Sequence, residues 1–382
     1  MTKKWSSRLT FFAFVVLMVG LGSNDSLRGI FSTIFQEHFS LTTTQLGLIV
    51  TASYIGNLVF LLVGGNLSTR FSKKRVLQVL ILIWMAALAL FAFTSNYTVL
   101  LIGMALALGS STLLNTTMNL ITPLLFATAP GFFVNFLFFT QEIGTSGSQY
   151  ILGSHADGFA FWQHTNLVLL ILGAVAFVLL LFCNVPEEAA APADVPAQKG
   201  GYDWRIIVPY VLVFGFYFIA EHGVMNWMVA YGVDGLGLPQ ASAAKYLSVF
   251  FGGMMIGRLC LSPLVDKLGA LKSLAAFGGV SCVLYLIGSL GGAVTMPVWA
   301  ISGLSFSILY PTLVMSIRLY FPAQQVSGAA GTILSIASLA DILFNVGFGK
   351  LVDMTGYAVS IRVLPLSALA FFIVFMLFTK FC

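Results

Sequence analysis

Long apolar segments follow one another through almost the whole chain, with only short polar breaks between them. Twelve of these segments reach about 20 residues, the length at which an α-helix crosses the ~30 Å hydrocarbon core of a bilayer. They do not alternate apolar and polar residues, as the strands of a membrane barrel would. The chain is 59% hydrophobic and only 8% charged, far outside the range of soluble domains. We therefore predict an all-α membrane protein with twelve transmembrane helices, at residues 9–35, 44–67, 75–94, 98–125, 131–153, 163–184, 206–231, 241–265, 270–290, 296–321, 325–350 and 359–380.

The longest polar break divides the predicted helices into two sets of six. Residues 186–204 are rich in Ala, Pro and charged residues, a composition typical of flexible linkers. Acidic residues recur in the two sets at nearly the same separation: Asp25 corresponds to Glu221, and Glu142 to Asp341. Such an internal duplication is typical of transporters built from two related bundles. We predict two pseudo-symmetric six-helix bundles joined by a cytoplasmic linker, at residues 1–185, 205–382 and 186–204 respectively.

Lys and Arg residues are concentrated in alternate loops, and such residues accumulate on the cytoplasmic side of membrane proteins. Placing the basic N-terminal segment inside puts the other basic loops on the same side, so both termini are predicted to be cytoplasmic. This bias accounts for the net charge of +5, and no nucleic-acid partner is needed to explain it. The four cysteines and four histidines are dispersed, without a metal-binding or disulfide pattern. We predict an integral protein of the inner or plasma membrane, with no bound metal.

Asp25 and Arg28 lie inside the first apolar segment, where an unpaired charge costs several kcal/mol. Because they are three residues apart, they share one face of a helix. Burial opposes ionisation of Asp25 and the positive charge of Arg28 favours it, a balance that suits a group which takes up and releases a proton. A purely structural ion pair between helices is the alternative. The candidate proton-coupling residues are Asp25, Arg28, Glu142 and Glu221.

Amides and other polar side chains recur at helical spacing within several predicted helices. Asn115 and Asn119 are four residues apart, as are Asp341 and Asn345, so each pair lies on one helix face. Amides offer donors and acceptors that suit sugar hydroxyls, although hydrogen bonding between helices explains them equally well. Trp227 is suited either to stacking on a sugar ring or to anchoring at the membrane interface. The candidate substrate-binding residues are Asn24, Asn115, Asn119, Gln141, Gln149, His222, Asn226, Trp227, Asp341 and Asn345.

Two loops at corresponding positions of the two halves carry a basic motif. Residues 65–75 resemble the signature G-x-x-x-D-R-x-G-R-R of the major facilitator superfamily, and residues 261–272 resemble it more closely. In the first copy Thr69 replaces the Asp and Ser72 the Gly, a departure from the charged cytoplasmic latch of that family. An ordinary basic inside loop is the alternative. The resemblance implies two bundles that rock about a midplane cavity, and the candidate cytoplasmic gate residues are Arg70, Arg258 and Asp266.

Three shorter motifs resemble the fucose-galactose-glucose proton symporters, a branch of that superfamily. They are Asn24-Asp25 followed by residues 39–47 and 54–56, the segment from Glu221 to Tyr231, and the Tyr-Pro-Thr sequence at residues 310–312. The resemblance implies that Asp25 is the carboxylate that is protonated and deprotonated during transport. These symporters carry a second carboxylate on helix four, where this sequence has Asn115. Either Glu142 on the next predicted helix substitutes for it, or the protein couples differently or not at all.

These features favour a secondary active transporter that moves a small polar solute, with a monosaccharide preferred, by proton symport and alternating access. The alternatives are a proton-coupled exporter of drugs or metabolites and a non-transporting membrane sensor on the same fold. The sequence contains no nucleophile elbow, catalytic triad spacing or phosphate-binding loop, so we expect no enzymatic activity, no catalytic residue and no cofactor. We expect a monomer whose partners are its solute, protons and the lipid bilayer.

Overall fold

The computed structural model describes residues 3–126, 130–183, 185–186 and 202–381 of the chain. Within these residues, all regular secondary structure is helical. Eleven helical segments of the described chain are long and apolar enough to cross a membrane, which confirms the all-α membrane fold. The remaining predicted span, at residues 131–153, corresponds to a 22-residue helix that carries Gln141, Glu142 and Gln149 along its length.

One compact unit comprises Met1–Leu41 and Leu48–Ala193. Its described helices are α1 (Lys3–Ile30), α2 (Ser32–Phe39), α3 (Thr43–Arg70), α4 (Lys73–Phe93), α5 (Tyr97–Leu125), α6 (Pro130–Ile151) and α7 (Phe159–Phe182). Local capping marks the start of α5, where the Asn96 side chain accepts a hydrogen bond from Val99 N at 3.1 Å. Residues 187–201 of the predicted linker lie outside the described residues.

Helix α1 packs against α6 at very close range. A Cβ atom added at Gly22 would overlap the carbonyl oxygen of Gln141, and one added at Gly144 would overlap that of Val19. Only glycine tolerates such backbone proximity, and small residues of this kind are common where membrane helices pack closely. The contact therefore determines the rotation and depth of α1, and with them the position of Asp25.

The second compact unit comprises Thr42–Gly47 and Asp194–Cys382. It therefore includes the first turn of α3 as well as the helices that follow the linker. Those described helices are α8 (Trp204–Ala230), α9 (Gln240–Leu268), α10 (Ala270–Leu290), α11 (Met296–Ile301), α12 (Gly303–Phe306), α13 (Leu309–Ser316), α14 (Ala323–Thr355), α15 (Tyr357–Ser360) and α16 (Val363–Phe381). A π-helical turn, Tyr231–Gly235, follows α8.

The predicted helix at residues 296–321 is interrupted twice, between α11, α12 and α13. Pro311 lacks an N–H group, so the carbonyl oxygen of Ser307 loses its helical partner. A hydroxyl group adds to this effect, because Ser302 Oγ donates a hydrogen bond to the Trp299 carbonyl oxygen at 2.5 Å. Serine side chains that bond to the preceding turn compete with the backbone hydrogen bonds and bend helices. The whole segment is nevertheless long enough to span a membrane.

Asp353, near the end of α14, caps the first turn of α3 within the second unit. Its Oδ1 atom accepts a hydrogen bond from Thr43 N and its Oδ2 atom accepts one from Thr44 N, each at 2.8 Å. A carboxylate at a helix N-terminus satisfies N–H groups that lack helical partners and interacts favourably with the helix dipole. The end of α14 therefore stabilises the start of α3, although 310 residues separate Asp353 from Thr43.

Candidate functional site

Asp25 lies on α1 in the interior of the first unit, where it contacts α5. Its Oδ2 atom accepts a hydrogen bond from the Ser111 hydroxyl at 3.4 Å. Its Oδ1 atom is buried and has no hydrogen-bond partner among the described residues. A buried carboxylate oxygen without a donor is unfavourable, and a proton or a polar ligand relieves that cost. Asp25 is therefore chemically suited to take up a proton or to accept a hydrogen bond from a solute.

Arg28 is buried one turn after Asp25 on the same helix. Its guanidinium carbon lies 5.7 Å from the centroid of the Tyr54 ring on α3, a cation–π distance. Its charge acts on the Asp25 carboxylate, and its Nε atom has no hydrogen-bond partner in the described part of the chain. The structure thus brings the two predicted charges together as an electrostatic contact, with the Tyr54 ring supporting the guanidinium group.

Three amide side chains form a hydrogen-bonded chain between α5 and α6. Asn119 Nδ2 donates to Asn115 Oδ1, and Asn115 Nδ2 donates to Gln141 Oε1, each at 2.6 Å. Asn119 Oδ1, at one end of this chain, is buried without a partner among the residues described. Ser111 precedes Asn115 by one turn on the same face of α5, so the amides lie one helical turn from the contact made with Asp25. We call these residues the first-unit cluster: Asp25, Ser111, Asn115, Asn119 and Gln141.

The other candidate residues of the first unit have different surroundings. Asn24 is buried, and its Oδ1 atom accepts a hydrogen bond from the Trp84 indole N–H at 3.2 Å. Gln149 is fully buried on α6, and neither polar atom of its side chain has a partner within the described structure. Glu142, also on α6, is half-buried. Asn24 is therefore occupied in helix packing, whereas the Gln149 amide keeps its hydrogen-bonding capacity.

His222 on α8 and Asp341 on α14 are joined by a short polar contact in the second unit, with Nδ1 of the imidazole 2.7 Å from Oδ2 of the carboxylate. The Asp341 side chain is 3% exposed, and its Oδ1 atom has no hydrogen-bond partner among the described residues. The His222 side chain is 26% exposed, and its ring stacks on Phe218 with the centroids 5.3 Å apart. His222 therefore covers a buried carboxylate and is itself accessible to a ligand.

Asn345 follows Asp341 by one turn on α14 and holds Trp227 in place. The Trp227 indole N–H donates to Asn345 Oδ1 at 2.9 Å, and Asn345 Nδ2 donates to the Asp341 carbonyl oxygen at 2.8 Å. Trp227 is fully buried and packs against Phe348, with ring centroids 4.8 Å apart. Both roles considered for Trp227, stacking on a sugar and anchoring at the interface, need an exposed ring. The packing of α8 on α14 covers it instead. We call His222, Trp227, Asp341 and Asn345 the second-unit cluster.

Glu221 and Arg258 lie near the same tyrosine side chains of the second unit. The Glu221 charge acts on Tyr217, Tyr285 and Tyr310, and the Arg258 charge acts on Tyr217 and Tyr310. A predicted proton-coupling residue and a predicted gate residue are thus brought into one aromatic region. The roles predicted for them stay predictions.

The remaining candidates are one residue of α8 and two predicted gate residues. Asn226 is buried on α8, one turn after His222. The side chains of the predicted gate residues Arg70 and Asp266 lie outside the described residues. The expectation that polar groups of the two bundles line one midplane cavity also stays a prediction.

Sequence reasoning did not identify Ser111, Tyr54 or Trp84, although each contacts a candidate residue. Ser111 precedes Asn115 by four residues, as Asn115 precedes Asn119, and this spacing was an available signal. Tyr54 and Trp84 lie on α3 and α4, whereas their partners lie on α1. No spacing within a sequence indicates which separate helices will touch.

The sequence matches the Major Facilitator Superfamily over residues 10–340. It is 24% identical over 333 residues to the L-fucose-proton symporter of Escherichia coli (strain K12), an alignment that covers 76% of this chain and 75% of that protein. It is 27% identical over 344 residues to a glucose/galactose transporter of Brucella abortus biovar 1 (strain 9-941), with 83% and 81% covered. The crystal structure of a D-xylose-proton symporter has the same fold, with a TM-score of 0.79 at 16% identity, over 100% of this chain and 98% of that one.

Proposed function

The chain belongs to the Major Facilitator Superfamily and is an integral membrane transporter rather than an enzyme, and on this premise we propose that it carries a monosaccharide together with a proton. Two relatives are an L-fucose-proton symporter and a glucose/galactose transporter, which supports a sugar as the solute and a proton as the driving ion. The bacterial sources of these relatives support a location in the inner membrane. We further propose a monomer with both termini in the cytoplasm.

The first-unit cluster is the observation that carries this proposal. It places an ionisable group, Asp25, and its partner Ser111 one helical turn from a hydrogen-bonded chain of three amides. Amides can both donate to and accept from the hydroxyl groups of a sugar. A sugar that binds to Asn115 or Gln141 therefore lies about one helical turn along α5 from the residue that holds the proton carrier. Coupling between solute and proton needs such proximity on this proposal, because each ligand must alter the affinity for the other.

Protonation changes what Asp25 can do within this cluster. The carboxylate accepts hydrogen bonds only, whereas the protonated acid also donates one. Protonation also removes the negative charge that Arg28 faces, so the guanidinium group becomes available to other acceptors. The proton and the solute thus bind most favourably together, and transport follows when the two bundles rock to open the site on the opposite side of the membrane.

The second unit has hydrogen-bonding groups of its own. The accessible imidazole of His222 is oriented by Asp341, which in turn is buried on α14. An oriented imidazole presents its second ring nitrogen in a defined direction, as sugar recognition requires. Gln149 adds a buried amide from the first unit. Asn115 stands where the related symporters have a carboxylate, so Asp25 carries more of the coupling here.

Uptake into proteoliposomes tests the proposal. The purified protein is reconstituted, and uptake of labelled L-fucose, D-glucose, D-galactose and D-xylose is measured with and without an inward proton gradient. We expect at least one sugar to accumulate only when the gradient is present, with simultaneous proton entry. Equal flux with and without the gradient would instead indicate uncoupled sugar transport. Absence of flux for all four sugars, in protein shown to be folded, would contradict a monosaccharide as the solute.

A further inference from the structure

A groove of about 600 Å³ lies between α3, α4 and α5 of the first unit. Its apolar walls include Val59 and Phe60 of α3, Val79 and Ile83 of α4, and Leu113 of α5. Val59 and Val79 are 50% and 55% exposed, so the groove opens on the outer surface of the unit. The three helices qualify as membrane spans, and exposed apolar surface on such helices is suited to contact with lipid. An acyl chain matches both the shape and the chemistry of such a groove.

Arg75 is the charged residue at this groove among the described lining residues. It lies in the first turn of α4, and its side chain is exposed. Within the described part of the chain, its guanidinium group has no hydrogen-bond or ion-pair partner. The neighbouring Lys74, by contrast, donates to the carbonyl oxygens of Leu181 and Cys183, at 3.0 and 2.7 Å. Among the described residues that line the groove, Arg75 is therefore the cation available to an anion at its end.

The positions of Arg75 and of the apolar walls match the positions of the headgroup and the acyl chain in a phospholipid. Ile83 follows Arg75 by eight residues along α4, which corresponds to roughly 12 Å along the helix axis. A headgroup at Arg75 therefore places its acyl chain along the groove. Guanidinium groups bind phosphate oxygens through paired hydrogen bonds. Residues 70–75 contain four basic residues and no acidic one, so an anionic headgroup is favoured over a zwitterionic one.

We propose that this groove binds one acyl chain of an anionic phospholipid, whose headgroup phosphate is held by Arg75. The lipid comes from the leaflet on the Arg75 side of the membrane. Neither Asp25 nor any of the amides is among the described residues that line the groove, so this ligand is distinct from the transported solute. Because the lipid contacts three helices at once and binds only their packed arrangement, it stabilises the first unit.

The test uses the purified full-length protein in detergent, to which phosphatidylglycerol or phosphatidylcholine with the same acyl chains is added. Native mass spectrometry counts the bound lipid, and the melting temperature is measured in parallel. We expect phosphatidylglycerol to bind more tightly and to raise the melting temperature further. Arg75→Gln should weaken phosphatidylglycerol binding about five-fold and phosphatidylcholine binding less, because both lipids have a phosphate but only phosphatidylglycerol carries a net negative charge. The matched control Lys267→Gln, which removes an exposed cation near the end of α9, should change neither.

Two further variants test the groove itself. Val79→Trp fills the groove from α4, and Val59→Phe narrows it from α3. If one of these variants does not fold, the other still tests the groove. Each should reduce the binding of both lipids. Equal affinity of the wild-type protein for the two lipids would overturn the proposal, as would unchanged phosphatidylglycerol binding in Arg75→Gln or in both groove variants. The wild-type protein could also prove to be a dimer that the groove variants fail to form, with no change in bound lipid. That result would assign the groove to a second copy of the chain and would overturn the lipid proposal as well.

Discussion

His222 Nδ1 lies 2.7 Å from Asp341 Oδ2, and this contact joins α8 to α14 across 119 residues of chain. It is a polar link between two membrane helices whose surroundings are largely apolar. Removing one partner of such a pair lowers the stability of the fold more than replacing both partners by apolar residues does. The reason is that the remaining polar group stays buried without a partner. The contact therefore matters both for the stability of the second unit and for any solute that approaches the imidazole.

His222→Ala should destabilise the protein, because it leaves the Asp341 carboxylate buried without its partner. We expect a loss of about 1–3 kcal/mol, below the range for fully buried pairs because His222 is partly exposed. Chemical unfolding in detergent, followed by circular dichroism, measures the change. His164→Ala replaces an exposed histidine on α7 and serves as the matched control. Equal stability of the two variants would mean that the pair contributes nothing to the fold.

Asp25→Asn should abolish solute accumulation while solute exchange continues. The amide keeps the size and much of the hydrogen bonding of the carboxylic acid but cannot release a proton. In proteoliposomes with a proton gradient, the ratio of internal to external solute should fall to about one, because exchange without proton coupling only equilibrates the solute. Asp157→Asn changes an exposed carboxylate in the loop before α7 and should transport normally. Concentrative uptake by Asp25→Asn would remove Asp25 from the coupling mechanism.

Asn115→Ala should weaken solute binding, because it interrupts the amide chain between Asn119 and Gln141. The loss of buried hydrogen bonds, about 1–3 kcal/mol, corresponds to an increase in KM of roughly 5- to 100-fold. Thr116→Ala is the control, since Thr116 is the next residue of α5 and faces outward. Initial rates of labelled sugar uptake across a concentration series provide KM for each variant. A KM that stays at the wild-type value in Asn115→Ala would place the solute elsewhere.

Gly144→Ala should loosen or distort the contact between α1 and α6, because the added Cβ overlaps the Val19 carbonyl oxygen. We expect a destabilisation of about 1–3 kcal/mol. Gly147→Ala is a stringent control: it lies three residues later on the same helix, and an added Cβ has no neighbouring atom within 4 Å. This second change should be neutral or slightly stabilising, because alanine is the better helix former. Melting temperatures of the two purified variants distinguish the outcomes.

Asp353→Ala should remove the cap on the first turn of α3, where Thr43 N and Thr44 N would lose their acceptor. The expected cost is about 0.5–2 kcal/mol, the usual value for loss of a capping side chain. Asp353→Asn keeps one acceptor oxygen and should lose less. Thermal unfolding of the three proteins under identical detergent conditions ranks them. An order in which Asp353→Asn is the least stable would show that the carboxylate does not act as a cap.

Much of this architecture could be predicted because the signals are local. Apolar length indicated the membrane spans, and the repetition of acidic residues indicated a duplicated transporter. The interruption of the helix at residues 296–321 was also encoded locally, by Pro311 and several serines, although hydropathy alone suggests one continuous span. The candidate residues were selected for the same kind of reason, since a charge or an amide inside an apolar segment needs a partner.

The sequence by itself determined which segments enter the bilayer and which polar groups they carry into it, because hydropathy and helical periodicity depend only on nearby residues. Tertiary structure decided which of those groups meet. It put Ser111 beside Asp25, and it buried the Trp227 ring against Asn345 and Phe348 of α14. The reason is physical: contacts between helices depend on their relative rotation and depth, which are set by backbone approaches such as that of Gly22 to α6. The spacing of residues along one helix does not indicate which residues of a neighbouring helix they will contact.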